Sequence, residues 1–371
     1  MPIREYLLTT TDQDLWRKYL PERRSVYGSL GNAMICESLL HQQARLHVIE
    51  SEEGWIANPL QLRPLSQLPF QIETAARWDC ASPEYTGPQV FGNDDRLAQI
   101  YPEASAALAR REGVVAEFAH LHPWSGGEQL RADGSSFNRE IIWCDSTVHP
   151  ENFRRNHLEY RCRKSLNKAE RHGLRIVEAE SPEDICQFAR IYRETMARNN
   201  AEGRSLFPDE YFVAFRRWLP LNSRFTLTVY QDTVIGALFI LFDDDDVYAY
   251  RGGSDIAFHH LNPATFQIWD AICWAHRTGR KRVILGGGFV PNDGIHHFKS
   301  SFSPLRQPFH IYKKVHRLED YARLEDACRG FYELGDEPIS YFPSYRYVRR
   351  VARIAAKSPT PVTCGEHVSH R

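Results

Sequence analysis

Residues 224–253 read RFTLTVYQDTVIGALFILFDDDDVYAYRGG. Apolar and β-branched residues fill two runs on either side of Gln231 and Asp232, a polar pair suited to a tight hairpin turn. A third run, from Asp246 to Gly253, ends in a Gly pair. The stretch is therefore predicted to form three consecutive antiparallel strands. Before it, Ile185, Phe188, Tyr192 and Thr195 recur at helical spacing, which predicts a helix over 182–198, and a second is expected over 208–219. After it, Asn262 and Pro263 are favoured N-cap and first-turn residues for a helix reaching Thr278. Residues 281–285, KRVIL, form a short buried strand that leads into Gly286, Gly287 and Gly288.

The first half repeats this plan more faintly. Residues 44–62 read as a hairpin turning at Ser51 to Gly54. Leu97, Ile100, Tyr101, Ala104 and Leu108 mark a helix over 94–112, with Pro102 against it. A strand is expected over 113–121, and the Gly, Ser and charge-rich residues 125–137 read as a surface loop. A short strand at 139–146 and a strongly basic helix at 150–173 follow. The two hairpins, each followed by a helix and an apolar strand, read as a weak internal duplication. The fold class is α/β, with a mixed sheet flanked by helices in each half. The expected division is 1–148, 149–318 and a basic tail, 319–371. A helix over 340–357 carries Val348, Val351 and Ile354 and is expected to dock on the body, with contact to RNA or anionic lipid as alternatives.

A chain of 371 residues suits two domains, since single cores stop growing at roughly 250–300 residues. Its net charge of −1 means that any polyanion must be held by a local patch. The eight cysteines are scattered and none forms Cys-x-x-Cys, which argues against a zinc site or a disulfide framework and for reduced thiols in the cytoplasm. The N-terminal MPIREYLLTTTDQDLW lacks the pattern of a secretory leader, and no run of 18 apolar residues is present to span a membrane. The basic helix supplies one local patch: Arg154, Arg155, Arg161, Arg163, Lys164, Lys168 and Arg171. Such a cluster fits a phosphate backbone. It equally fits a solvated face softened by Glu151, Glu159 and Glu170.

Five stretches in order carry a resemblance to a known family: RCRKSLNKAERHGLRI, IYRETMARN, the hairpin leading into YAYRGGSD, NPATFQIWDAICWAHRTG, and LGGG followed by GIHHFKSSF. In the first half, EFAHLHP adds to them. Together they resemble the Fem-type aminoacyltransferases of the GNAT acyltransferase superfamily over most of residues 5–318. The resemblance implies two tandem GNAT-like domains. It also implies transfer of an aminoacyl group from aminoacyl-tRNA to an amine on a cell-wall peptide, a polysaccharide precursor or a natural-product peptide, with no further cofactor.

Amine attack on an activated ester needs positioning, a path for one proton and stabilisation of the oxyanion. The resemblance places Lys299 and Phe298 at that step. Lys299 would face the oxyanion or a donor phosphate, and Phe298 would stack on a nucleobase. Taken without it, Phe298 and Phe302 are four apart on a helix and read as core, with Lys299 exposed. Asp255, Asp293, His296 and His297 are proton-transfer candidates. Gly286, Gly287 and Gly288 allow a ligand close to the backbone, or make a plain tight turn. Arg198, Arg251 and Asp293 are candidates for substrate contact. Arg161, Arg163, Lys164, Lys168 and Arg171 are candidates for tRNA phosphates.

The sequence departs from the family in three places. The glycines of a CoA-binding loop are missing from DIAFHHLNPATF, which favours a donor other than CoA. His120 stands where the family has arginine before Leu-His-Pro, and Ala33 and Glu37 replace an aromatic and a lysine in the first domain. Both weaken a cell-wall acceptor. Two alternatives follow. One is a CoA-dependent N-acyltransferase acting on an amino-sugar or amine in cell-envelope polysaccharide synthesis. The other is a binding module that has lost catalysis.

Overall fold

The computed structural model describes residues 3–199, 206–288 and 293–348. Most of the tail helix expected over 340–357 therefore lies outside the described residues. Thirteen strands are described: β1 (Arg4–Leu8), β2 (Gln43–Glu50), β3 (Gly54–Pro64), β4 (Trp78–Ala81), β5 (Gln89–Gly92), β6 (Val114–His120), β7 (Ser135–Asp145), β8 (Arg175–Glu178), β9 (Ser223–Tyr230), β10 (Thr233–Phe242), β11 (Asp246–Ser254), β12 (Arg282–Gly286) and β13 (Arg306–Val315). The helices are α1 (Gln13–Tyr19), α2 (Leu30–Leu40), α3 (Asp95–Glu112), α4 (Gly127–Leu130), α5 (Pro150–Asn156), α6 (Tyr160–Arg171), α7 (Pro182–Arg198), α8 (Asp209–Trp218), α9 (Pro263–Arg277), α10 (Gly294–Ser300) and α11 (Leu318–Tyr332).

All thirteen strands join one mixed sheet in the order β1-β2-β3-β4-β6-β13-β7-β12-β11-β10-β9-β8, with β5 added beside β3. The two halves exchange strands at the centre. β13 comes from late in the chain yet pairs with β6, and β7 comes from the first half yet pairs with β12. β13 and β7 then pair with each other and close the seam.

In the second half, Gln231 and Asp232 both take positive φ, as a two-residue hairpin turn requires. Ser181 and Asp184 form a reciprocal capping box at the start of α7. Ile185, Phe188, Tyr192 and Thr195 are all buried, as their spacing predicts. α7 and α8 cover one face of the sheet, where Phe225 and Phe239 stack at 3.9 Å. Cores of this kind stabilise by roughly 1.5–3 kcal/mol per large apolar side chain. α5, α6 and α9 cover the other face, around Phe153, Leu166, Ile272 and Phe302. Gly253 lets α7 cross β11 closely: a Cβ there would lie 2.4 Å from Thr195 Oγ1.

Three local expectations change, and the helix expected over 94–112 forms in spite of its proline. The basic helix breaks into α5 and α6, because Leu158 turns inward and the Glu159 N–H donates to Ser301 O at 2.8 Å. The expected loop 125–137 contains α4 and the start of β7. Asn262 adopts the left-handed conformation and makes no side-chain cap on α9, although Pro263 does open that helix. Pro102 is accommodated inside α3, which Leu97, Tyr101 and Leu108 anchor in the core.

β11 and β12 are parallel and pair only from Asp246–Arg282 to Tyr248–Ile284. Past that point β11 runs on to Ser254, and β12 ends at Gly286 on the side of β7. The two strands thus open like a wedge, with α9 and α10 following them. At the closed end, Asp246 takes Arg282 Nε at 2.5 Å and Nη2 at 3.1 Å. His122 Nδ1 accepts from the Trp124 N–H at 3.2 Å, which leaves Nε2 carrying the proton toward Asp246 Oδ2 at 3.2 Å and Tyr248 Oη at 3.0 Å.

Candidate active site

Gly286 ends β12 with a φ of +73°. A Cβ on it would sit 3.2 Å from the Tyr85 hydroxyl and 3.6 Å from Lys299 Nζ, so both groups crowd this point of the backbone. Gly287 is as tight on its other side, where a Cβ would meet Arg139 Cδ at 2.9 Å and Glu140 O at 3.1 Å. Lys299 Nζ donates to Gly287 O at 2.8 Å, and Arg139 Nη1 donates to Gly288 O at 2.8 Å. The glycines are thus gripped by cations from β7 and α10. Burial lowers the Lys299 amine to about 8; Asp293 opposes that fall and Arg139 adds to it.

Asp293 caps α10, its carboxylate accepting from the His296 N–H at 2.7 Å. One turn on, Phe298 packs edge-to-face on Phe302 with ring centres 5.3 Å apart. Phe302 is fully buried. Phe298 is only partly buried and also lines a pocket of about 420 Å³ at the end of β11. The core role and the lining role therefore coexist in Phe298. The pocket is walled by the first turn of α9 and by α10, and by Arg161 and Ser165 of α6; His259 and His297 complete its polar lining. Arg161 Nη2 donates to His297 O at 3.2 Å and its Nε pairs with Glu159 at 2.9 Å.

A second cavity, a cleft of about 660 Å³, lies between the halves. Arg63, Glu84, His120 and Arg139 face it from the first half, and Tyr250 and Arg251 from β11. Arg251 lies over the Tyr250 ring at 4.0 Å and 3.5 Å from Glu84. Burial works against its charge, but Tyr250 and Glu84 more than offset this and its pKa is raised. His120 stacks on Phe309, and burial lowers its pKa. Arg139 belongs to the cleft wall and touches Gly288, while Phe298 belongs to the pocket wall next to Lys299. The Gly286–Gly288 turn is thus held by Arg139 of the cleft wall and by Lys299, the chain neighbour of Phe298 in the pocket wall, and we read it as the partition between the two cavities.

The candidate residues sort around this partition. Lys299, Phe298, His297, Asp293 and the three glycines come together. Arg251 faces the cleft and Arg161 the pocket. Asp255 stands apart: its carboxylate accepts from the Ala257 N–H at 2.9 Å and caps the 3-10 helix Ile256–Leu261. Arg198 donates to Ser254 O at 3.3 Å, at the end of β11, but does not line the pocket itself. Arg163 is bound to the carbonyls of Leu158 and Arg155 and holds the break between α5 and α6. Lys164 and Arg171 are exposed, with Lys168 half-buried between them. Sequence reasoning missed Tyr85, Arg139, Arg63 and Glu84. They lie in the first half, far in sequence from the motifs, and only the strand exchange brings them here. Among the described residues no three His, Cys, Asp or Glu side chains converge as metal ligands.

Residues 154–300 match the family model of the acetyltransferase (GNAT) domain. The chain is similar in fold to a crystal structure of FemX, with a TM-score of 0.64 at 12% identity, covering 86% of this chain and 99% of that one. It is also similar to a conserved protein of unknown function from Bacteroides thetaiotaomicron, with a TM-score of 0.54 at 11% identity, covering 85% of this chain and 100% of that one. No curated protein matches the sequence. Residues 154–300 thus carry a GNAT-type acyltransferase domain, set in a sheet whose overall fold is similar to that of FemX.

Proposed function

We propose that the protein forms an amide bond by moving an aminoacyl group from aminoacyl-tRNA to the amine of a small molecule, sugar or peptide. The observation that carries this reading is the segment before α9. A diphosphate-binding loop there needs free backbone amides. Here the segment is a 3-10 helix whose amides are already engaged: Phe258 N–H donates to Asp255 O, Asn262 N–H to His259 O and Ala257 N–H to the Asp255 carboxylate. Pro263 contributes no N–H to the first turn. Beside the pocket, Arg161, Lys164, Lys168 and Arg171 follow one another at spacings of three and four along α6, a single basic stripe for phosphates.

In this reading the ester end of the donor enters the pocket past Phe298 and the amine enters from the cleft. The amine nitrogen attacks the ester carbon beside the Gly286–Gly288 turn, and Lys299 offers its charge to the oxyanion. The ester C–O bond then breaks, and the leaving ribose oxygen takes up the proton that the amine sheds. Arg139 and Asp293 hold the turn and the lysine in place, while Arg251 contacts the acceptor.

A second reading, an acyl-CoA donor, is favoured by the acetyltransferase description of the matching domain. Thermal shifts with acetyl-CoA, CoA and a mixed aminoacyl-tRNA pool separate the two. Stabilisation by charged tRNA alone, lost in Lys299→Ala, supports the first reading. Stabilisation by the CoA compounds alone removes it.

A further inference from the structure

Four residues that line the cleft each hold a buried side-chain polar atom with no hydrogen-bond partner among the described residues: Arg63 Nη2, Arg251 Nε, Tyr27 Oη and Ser82 Oγ. All four are able to donate, and a buried donor left without an acceptor loses its hydration with nothing in return. Arginine cannot resolve this by losing its proton. Four such groups around one cavity point to a ligand rich in acceptor oxygens.

Charge agrees with this. Among the described residues, Arg63, Arg139, Arg251 and Lys313 line the cleft against a single carboxylate, Glu84. Fully buried Asp79 behind the wall does not cancel them, because it is shared. Its Oδ1 takes Arg63 Nε at 2.5 Å and its Oδ2 takes Arg346 Nε at 2.6 Å. The trio keeps one positive charge, and Asp79 fixes the Arg63 guanidinium with Nη2 left over.

We propose that the acceptor carries an oxyanion as well as its amine, a carboxylate or a phosphate bound by Arg63 and Arg251. This rests on the proposed function in that the cleft is read as the acceptor side. The anion sits among Arg63, Arg251 and Tyr27, and the amine points to the Gly286–Gly288 turn past Arg139. Asp79 and Arg346 are positioning residues that act through Arg63.

Calorimetric titration of the full chain with inorganic phosphate, and separately with acetate, tests this. Saturable binding of either probe is expected, weakened tenfold or more by Arg251→Gln and by Arg63→Gln. Because Arg63→Gln leaves Asp79 with one partner fewer and endangers folding, Lys313→Gln at the exposed rim is the second variant, with a few-fold loss expected. Phosphate alone binding identifies a phosphate site, and acetate alone a carboxylate site; both support the proposal. No binding of either probe overturns it, as does binding that survives Arg251→Gln and Lys313→Gln or is lost instead in Arg161→Gln. A donor thermal shift on the same preparations keeps the readings separate. Donor binding without anion binding removes this inference alone, and anion binding without donor binding leaves it standing while the donor assignment falls.

Discussion

The pocket beside Phe298 and the cleft between the halves differ in how they are built. The pocket is walled mainly by α6, α9 and α10, all from one contiguous stretch of chain that matches a single domain model. The cleft draws on β3, β6, β7, β11 and β13, and on Tyr341 and Phe342 near the end of the described chain. The pocket's polar groups are mostly satisfied within it, as with Arg161 on Glu159 and His297 O. The cleft keeps orphaned donors. A cavity built locally is recoverable from motifs. One built across a strand exchange is not, and that is where the orphaned donors sit.

Lys299 stands on the partition, so its loss should affect both sides. Lys299→Met is expected to lower kcat/KM by about 10²- to 10³-fold, the usual cost of removing an oxyanion-side donor. The fold should persist, since Lys299 is half-buried and bonds only one carbonyl in the described structure. A loss that merely follows the fraction unfolded on melting would assign Lys299 to structure.

Gly287→Val should break the partition sterically. Its Cβ has no room against Arg139 and Glu140, so a cost of about 1–3 kcal/mol is expected by chemical denaturation, with activity lost beyond that. Full activity in this variant would show that the turn is not where the two cavities meet.

The pH profile sharpens the same point. Burial lowers Lys299 to about 8, so its charge is lost as pH rises through 8 and not through the ordinary lysine range. Activity that needs the cation should fall about tenfold per pH unit above that value. Stability should run the other way. Between about 8 and 10.5 the unfolded chain still holds the lysine proton and the folded chain does not, so stability rises with pH across that window. Lys299→Met should flatten both trends; a pH profile unchanged in the variant would place the titration elsewhere.

Smaller effects distinguish the pocket's rim from its interior. Lys164→Gln with Lys168→Gln should weaken charged-tRNA binding a few-fold and reduce its salt dependence by roughly one to two counterions, while leaving anion binding in the cleft unchanged. Asp255→Ser should do least. Serine keeps the cap on the 3-10 helix, so a change within about 0.5 kcal/mol and near-normal turnover are expected.

The second half was legible because its information is local. The hairpin turn at Gln231 and Asp232, the α7 stripe and the glycines after β12 are each set by a few neighbouring residues. Residues 135–137 misled because the start of β7 is largely exposed and no alternation of apolar and polar side chains marks a strand there. The break between α5 and α6 depends on Ser301, far along the chain. The buried Arg131, paired with Glu117 at 2.7 Å, looked like a loop charge for the same reason. In the site, Lys299 and Phe298 were found through a resemblance, whereas Arg63, Glu84, Tyr85 and Arg139 carry no local pattern at all.

The most direct test of the two-cavity account is photocrosslinking with charged tRNA bearing an azidoadenosine at its 3′ end, followed by peptide mapping. Attachment within the first turn of α9 or along α10, competed by unmodified charged tRNA, is the expected result. Attachment to the cleft wall around Arg63 and Arg251, or no saturable attachment at all, would contradict it.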